Sequence, residues 1–149
     1  MRPLHGTDPK QFIADFVTSF THELLRGDDD PGPIVDRYHT PDVVQIADGH
    51  RMDREALVAH TRPVRRNRPD LRMEVHEALA DGDRIAARYT MHVRTLKKTL
   101  AVEVCLFGQF ATDGRMRRAH LLTRTLPADV EDDAARSTPQ PPDRQETRA

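Results

Sequence analysis

The chain has 149 residues, a length typical of one domain. It carries 23 basic and 24 acidic side chains, and the resulting formal net charge of −1 does not favour binding to nucleic acid or to anionic membranes. Its single cysteine, Cys105, excludes an internal disulfide, and no segment approaches the ~20 apolar residues of a membrane span or resembles a signal peptide. We therefore expect a soluble, cytoplasmic protein with no nucleic-acid or membrane partner.

The N-terminal segment predicts a helix from Asp8 to Arg26. Asp8 suits the N-cap, Pro9 suits the first helical position, and Gly27 suits the end of the helix. Large apolar residues recur at every fourth position and form a stripe that a sheet can cover: Phe12, Phe16, Phe20 and Leu24.

A short helix and a strand pair follow. The helix is expected from Pro33 to about His39, because Thr40-Pro41 stops it. The strand is expected over residues 43–47, and it turns at Asp48-Gly49 into a brief return around Arg51-Met52.

A third helix is expected to begin at Asp53, with its inner side formed by Ala56, Leu57, His60 and Val64. Pro63 lies inside this pattern, so we expect a kink or a break near Arg62. The helix ends in four arginines, which form either an anion site or, as the helix dipole favours, a solvated terminus: Arg62, Arg65, Arg66 and Arg68.

The segment from Leu71 to Leu126 predicts four strands in one antiparallel meander. Asp81-Gly82 and Asp113-Gly114 supply the positive φ angles that tight hairpins need. Between these turns, apolar and polar residues alternate with a period of two, which is typical of a sheet with one buried face. We expect the helices to cover that apolar face.

The composition changes after Leu126. Val130 is the last aliphatic residue larger than alanine, so the remaining segment buries too little apolar surface to offset its ordering entropy. We expect residues 1–127 to form a single domain and residues 128–149 to be a disordered tail.

The order of these elements, together with five short motifs, resembles a known superfamily. The motifs are Tyr38-His39-Thr40-Pro41-Asp42-Val43-Val44, Arg54-Glu55-Ala56-Leu57 with His60, Arg68-Pro69-Asp70-Leu71, Gly82-Asp83-Arg84-Ile85-Ala86 and Asp113-Gly114-Arg115-Met116. The chain resembles the nuclear-transport-factor-2-like superfamily, and within it the SnoaL-like group of polyketide cyclases. The resemblance implies an α+β cone, in which a strongly curved antiparallel half-barrel sheet wraps around N-terminal helices and an apolar pocket opens at one end.

The family's acidic residues do not carry over to this chain. The steroid isomerases of the superfamily use one carboxylate after the first strand and another within the fifth, where this chain has Gln45 or Ile46 and Leu106. The cyclases have an acidic residue late in the last strand, where this chain has Arg124. The resemblance therefore implies the architecture more strongly than a reaction.

The histidines do not predict a metal site. Three of them, His76, His92 and His120, can become neighbours across strands. However, no two have the spacing of a ligand pair, and His76 and His92 share the polar register of their strands. We expect neither a metal nor an organic cofactor.

Polar groups in the apolar register are the candidates for chemistry. Tyr89 stands in that register, either as a core residue or as a ligand contact. His120 faces inward if Met116 does, or outward if Ala119 does; we take the inward option. Either Gln45 or Ile46 faces the cavity. The expected catalytic residues are His120, Tyr89 and Gln45, and the expected substrate-binding residues are Phe16, Phe20, Tyr38, His60, Met91 and Leu106.

Two functions remain open from the sequence. The first is a cofactor-free cyclase or isomerase acting on a small apolar, polyketide-like ketone, in which His120 moves the proton and Tyr89 and Gln45 hold the carbonyl. The second is a non-catalytic small-ligand-binding or dimerisation module of the same fold. In either case we expect a homodimer through the polar-register sheet face that carries Arg88, His92, Glu103 and Phe107.

Removing residues 128–149 should leave folding intact, because that segment carries almost no apolar surface to bury. Thermal unfolding of the full chain and of residues 1–127 checks this. A fall of several degrees in melting temperature on truncation would show that the tail packs against the domain.

Overall fold

Three helices and a curved, unclosed six-stranded sheet make up the fold, in a computed structural model that describes residues 3–127. The helices are α1 (Pro9–Arg26), α2 (Gly32–Tyr38) and α3 (Arg54–Asn67). The strands are β1 (His39–Ala47), β2 (His50–Met52), β3 (Asp70–Asp81), β4 (Arg84–Arg94), β5 (Thr99–Phe110) and β6 (Met116–Leu126). The expected tail, residues 128–149, lies outside the described residues.

The strands run in the order β2-β1-β6-β5-β4-β3, so the meander from β3 to β6 forms as expected. β1 adds to it by a parallel pairing with β6, the one pairing among the described strands that is not antiparallel. Within residues 3–127, no helix is both long enough and apolar enough to span a bilayer.

The helices begin at the capping residues that the sequence predicts. Asp8 accepts a hydrogen bond from the backbone N–H of Lys10 at 3.1 Å, and Asp53 accepts one from Ala56 at 2.9 Å. α3 continues through Pro63, so of the two expected outcomes near Arg62, a kink or a break, the break does not occur. The buried side chains of α3 are Leu57, Val58 and Thr61, which turns His60 to the exposed side.

Two irregularities in the meander decide which side chains face inward. Val75 pairs with Tyr89 and Glu77 pairs with Arg88, so His76 is an extra residue in β3. Since a bulge reverses the facing of everything that follows, Glu77 lies on the outer face, with its Oε1 3.3 Å from Arg88 Nε. The alternation of Leu71, Met73 and Val75 in the sequence predicts that Glu77 faces inward, and the bulge makes this expectation wrong.

The second irregularity lies where β5 meets β6. Phe110 pairs with Met116 and Gln109 pairs with Arg118, which leaves Arg117 as the extra residue. Met116 and Ala119 are consequently both buried, at 3% and 6% exposure. An unbroken period of two, as the sequence pattern implies, would place only one of these two residues on the inner face.

An aromatic cluster forms the centre of the main core. The ring of Phe110 packs edge-to-face on Phe12 and Phe16, with centroids 4.8 and 5.3 Å apart. Tyr38 meets Phe16 in the same way at 5.8 Å. A second, smaller core joins α2, β1 and α3 through Val35, Val43, Leu57 and Val58.

Gly108 should not tolerate a side chain. A Cβ there would lie 2.9 Å from the Phe110 ring and 3.3 Å from Ile85, so Gly108→Ala should destabilise the fold by about 1–3 kcal/mol through overpacking. Gly27→Ala is the matched control, because its φ is −131° and the nearest atom to the new Cβ is 3.9 Å away. Urea denaturation measures both variants. Equal free energies of unfolding would contradict the prediction.

Candidate functional site

His120 does not face the interior of the cone. It pairs with Phe107 on β5 and with Ile46 on β1, and both His120 and Phe107 are exposed. The bulge at Arg117 causes this orientation. The predicted cavity shared by His120 and Tyr89 is therefore wrong, and with it the assignment of His120 as the proton carrier.

Tyr89 and Leu106 lie in the filled core. Their exposed fractions are 6% and 2%, and neither lines the cavities described below. Burial raises the pKa of Tyr89 to about 12, so the phenol stays neutral at physiological pH. The expected apolar pocket around these two residues is occupied by side chains.

The remaining residues predicted for the site lie in different parts of the structure. Gln45 faces inward beside Ala119, with its amide nitrogen 3.2 Å from the Met116 sulfur. Met91 lines a cavity of about 240 Å³ on the far side of α1, and Phe20 packs on the rings of Tyr38 and His39. The predicted site is therefore not one constellation.

A cavity of about 530 Å³ lies between α1 and α2 and contains two of the predicted residues, Phe16 and Tyr38. We call it the α1–α2 cavity. Phe12 and Phe16 form its apolar part, and the polar lining is Thr7, Asp15, Ser19, Glu23, Arg37 and Tyr38. Six of the eight lining residues are polar, so the cavity is a mainly polar recess whose floor is the edge of the aromatic core.

The spacing of α1 explains the polar side of this cavity. Asp15, Ser19 and Glu23 follow one another at four-residue steps, so they share one face of the helix beside the phenylalanine stripe. Asp15 Oδ1 accepts a hydrogen bond from Gln11 at 2.8 Å. Glu23 Oε1 lies 3.2 Å from Arg37 Nη2, so an ion pair joins the two helices at the cavity.

Tyr38 supplies a neutral hydroxyl to the α1–α2 cavity. Burial raises its pKa to about 12, and the neighbouring Glu23 carboxylate adds to the shift. The phenol is therefore protonated at physiological pH. Its hydroxyl faces the Glu23 carboxylate, and it can donate to a bound oxygen only in place of Glu23. Glu23 brings a carboxylate to the same cavity, and the two together can accept and donate protons.

Arg54 fixes α2, the helix that carries Arg37 and Tyr38. Its Nε and Nη2 lie 2.6 and 2.9 Å from the two carboxylate oxygens of Asp36, a bidentate pair. This contact lowers the pKa of Asp36. The arginine thus ties the start of α3 to α2 and holds the Tyr38 side of the cavity in place.

His39 is a buried neutral histidine next to Tyr38. It is 2% exposed, and its Nδ1 donates to the Val35 carbonyl at 2.9 Å. Burial lowers its pKa, against smaller opposite effects of the Val35 hydrogen bond and of Asp36. Sequence reasoning did not single out His39, because β1 was expected to start four residues later.

Asp48 has a structural role. It adopts φ 50° in the hairpin with Gly49, and its carboxylate accepts hydrogen bonds from the backbone N–H and the hydroxyl of Thr123. These bonds lower the pKa of Asp48. Among residues 3–127, no three His, Cys, Asp or Glu side chains are grouped so as to hold a metal ion.

The family model of the SnoaL-like domain matches residues 17–119, more than half of the chain. The chain belongs to the SnoaL-like family. A comparison with curated proteins finds no match. The SnoaL-like match covers the second half of α1, all of β1 to β5 and the first residues of β6. It includes four of the eight residues that line the α1–α2 cavity: Ser19, Glu23, Arg37 and Tyr38.

Solved structures share the fold at low sequence identity. IdmH from Streptomyces antibioticus, a proposed polyketide cyclase, is 16% identical with a TM-score of 0.55, over 73% of this chain and 89% of that one. AclR from Streptomyces galilaeus, a proposed hydroxylase, is 18% identical with a TM-score of 0.58, over 77% and 87%. An LEH-like epoxide hydrolase from M. tuberculosis is 17% identical with a TM-score of 0.57, over 76% and 84%. At these sequence identities, the structural similarity establishes a shared fold and no shared function.

The buried His39 should make folding pH-dependent. Because its folded pKa lies below the unfolded value of 6.5, the unfolded state binds more protons, and the free energy of unfolding should fall as the pH drops below about 6.5. The slope from this group is at most about 1.4 kcal/mol per pH unit. His39→Gln, which keeps a donor for Val35, should reduce that slope.

Urea denaturation at a series of pH values measures this effect. His60→Gln is the matched control, because His60 is exposed, and it should leave the slope unchanged. An unchanged slope in His39→Gln would contradict the prediction.

Proposed function

We propose that this SnoaL-like protein binds a small apolar molecule bearing a carbonyl group in the α1–α2 cavity. The observation that carries the proposal is the pairing of the Phe12 and Phe16 rings with the neutral Tyr38 hydroxyl in one cavity. Phe12 and Phe16, which are 3% and 5% exposed, form a small apolar floor, and the hydroxyl offers one directed donor to the carbonyl oxygen. A volume of about 530 Å³ suits a ligand of two to four fused rings.

We propose binding before catalysis because of the orientation of His120. With that histidine on the outer face, the base expected from the sequence is not available to the interior. The SnoaL-like family and the polyketide-cyclase neighbour support a ligand of the polyketide type, an apolar ketone.

The binding proposal is tested with 2-acetylnaphthalene, a flat apolar ketone, followed by saturation-transfer NMR. Tyr38→Phe removes one neutral hydrogen bond of about 0.5–1.5 kcal/mol, so Kd should rise about 2- to 12-fold. Tyr89→Phe is the matched control, since it removes the other tyrosine hydroxyl of the chain from the core, and it should leave Kd unchanged. An effect in Tyr89→Phe alone would place the ligand in the interior of the cone and contradict the α1–α2 cavity.

Glu23 supports a second candidate function, a cofactor-free enzyme of the cyclase or isomerase type. In this function the Glu23 carboxylate removes a proton from the carbon next to the ketone, while Tyr38 donates to the oxygen that becomes negative. The proton then returns from Glu23 to the same or a conjugated carbon, so the protein ends unchanged. Arg37 holds the carboxylate at the cavity.

Exchange of the methyl protons of 2-acetylnaphthalene for deuterium in D₂O, measured by NMR, tests this step. Glu23→Gln should lower the protein-catalysed exchange about 100-fold or more while binding persists. Asp15→Asn is the control, because it removes a second carboxylate of the same cavity. Binding without catalysed exchange in the native protein would leave the binding function and reject the enzyme.

A further inference from the structure

We infer that the C-terminal end of α3 and the loop after α1 form a binding site for the phosphate group of a small molecule. The site is a cavity of about 540 Å³, which we call the arginine cavity. One wall is the aspartate loop, residues 28–31, and the other wall carries four arginines: Arg62, Arg65, Arg66 and Arg68. The inference is independent of the ligand proposed for the α1–α2 cavity, because the two cavities share no lining residue.

The spacing of the arginines brings their side chains together. Arg62, Arg65 and Arg66 stand three and four residues apart near the end of α3, so they share one face of the helix. Arg68 is the C-cap residue, and its φ of 40° is a left-handed conformation that glycine adopts more readily. Four like charges at one helix end repel one another, and an anion between them relieves that repulsion.

The aspartate loop fixes two of the four arginines. Arg65 donates from Nε to the Leu24 carbonyl at 2.8 Å and from Nη1 to the Asp29 carbonyl. Arg68 pairs through Nη2 with the Asp28 carboxylate. The Nη2 group of Arg65 is buried and has no hydrogen-bond acceptor in the described part of the chain. This positive charge is therefore partly shielded from water, and it acts more strongly on a nearby anion.

The other two arginines are available to a ligand. Arg62 and Arg66 are exposed and one helical turn apart, and neither forms an ion pair with a carboxylate of residues 3–127. The planar guanidinium group binds phosphate oxygens in pairs, so two such groups one turn apart suit one tetrahedral phosphate. A carboxylate has a single charge and two oxygens, so it would engage fewer of these four cations.

The aspartates of the loop leave the cavity positive. Four arginines stand against three aspartates, so the net charge of the lining is +1. Asp28 is already paired with Arg68, and Asp30 accepts a hydrogen bond from the backbone N–H of Gly32 at 3.0 Å.

The alternative interpretation of the four arginines is a solvated helix terminus, which the helix dipole favours. In such a terminus the long side chains would be free to separate in water. Here the aspartate loop holds Arg65 and Arg68 at the wall of one cavity. This enclosure favours a ligand site.

Isothermal titration calorimetry of the full chain at low salt tests the inference, with inorganic phosphate and phenyl phosphate as probes. At least one probe should bind with a Kd of about 1 mM or lower. Arg66→Gln should raise this Kd at least about tenfold, because a charge-assisted hydrogen bond is lost. Arg51→Gln is the matched control: Arg51 is exposed on β2 and does not line the cavity, so its variant should keep the native Kd.

The two probes distinguish two sources of the phosphate group. Equal Kd values would identify free phosphate as the ligand, and a lower Kd for phenyl phosphate would identify an organic phosphate. Both results support the inference.

Asp29→Asn should change the affinity in the opposite direction. It keeps the backbone carbonyl that Arg65 uses and removes a negative charge from the cavity, so Kd should fall about 2- to 5-fold. A role of the cluster in folding alone would not produce tighter binding. Circular dichroism confirms that each variant folds.

Three results would overturn the inference. The first is that the native protein binds neither probe at about 10 mM. The second is a Kd that is unchanged in Arg66→Gln or that rises equally in Arg51→Gln. The third is binding of heparin without binding of either probe, which would assign the cluster to a macromolecular polyanion.

Discussion

The edge-to-face contact of Phe110 with Phe12 and Phe16 is the interaction on which the arrangement of this domain depends. It joins the last residue of β5 to the first half of α1 and thereby holds the helix against the sheet. Gly108 makes it possible, because any side chain there would enter the space of the Phe110 ring. The same contact fills the interior of the cone, so the space beside Phe12 and Phe16 that a ligand can reach lies between α1 and α2.

Because the cavity lies between α1 and α2 and not inside the cone, a different set of residues can perform chemistry. A pocket inside the cone would draw its polar groups from the strands, where this chain offers the buried Tyr89 and the half-buried Gln45. The α1–α2 cavity draws them from helices, as Glu23 and Tyr38. Solved relatives of the fold are described as a cyclase, a hydroxylase and an epoxide hydrolase, so the shared architecture does not determine the reaction. The reaction, if there is one, therefore depends on the side chains that line the cavity and not on the fold.

The helices, the hairpin turns and the inner faces of β4 and β5 could be predicted, because capping residues, Asp-Gly pairs and an unbroken alternation all act locally. The face of the sheet on which Glu77 and His120 lie could not be predicted. A bulge inserts one residue without a reliable local signal, and it reverses every side chain that follows. Among the residues that line the α1–α2 cavity, the apolar stripe and the family motif point to Phe16 and Tyr38. They do not point to Glu23, although its four-residue spacing from Ser19 and Asp15 beside that stripe is a local signal.

The two bulges also connect the core to the outer face. In β6, the extra residue Arg117 allows Met116 and Ala119 to face the core together, and this sends His120 outward beside Phe107. In β3, the extra residue His76 sends Leu79 outward beside Ala86. Along its own strand, Phe107 is an isolated apolar residue in a polar register, and only the cross-strand register shows that it lies between Ala86 and His120. Each bulge therefore both completes the core on the inner face of its own strand and decides which side chains of that strand reach the outer face.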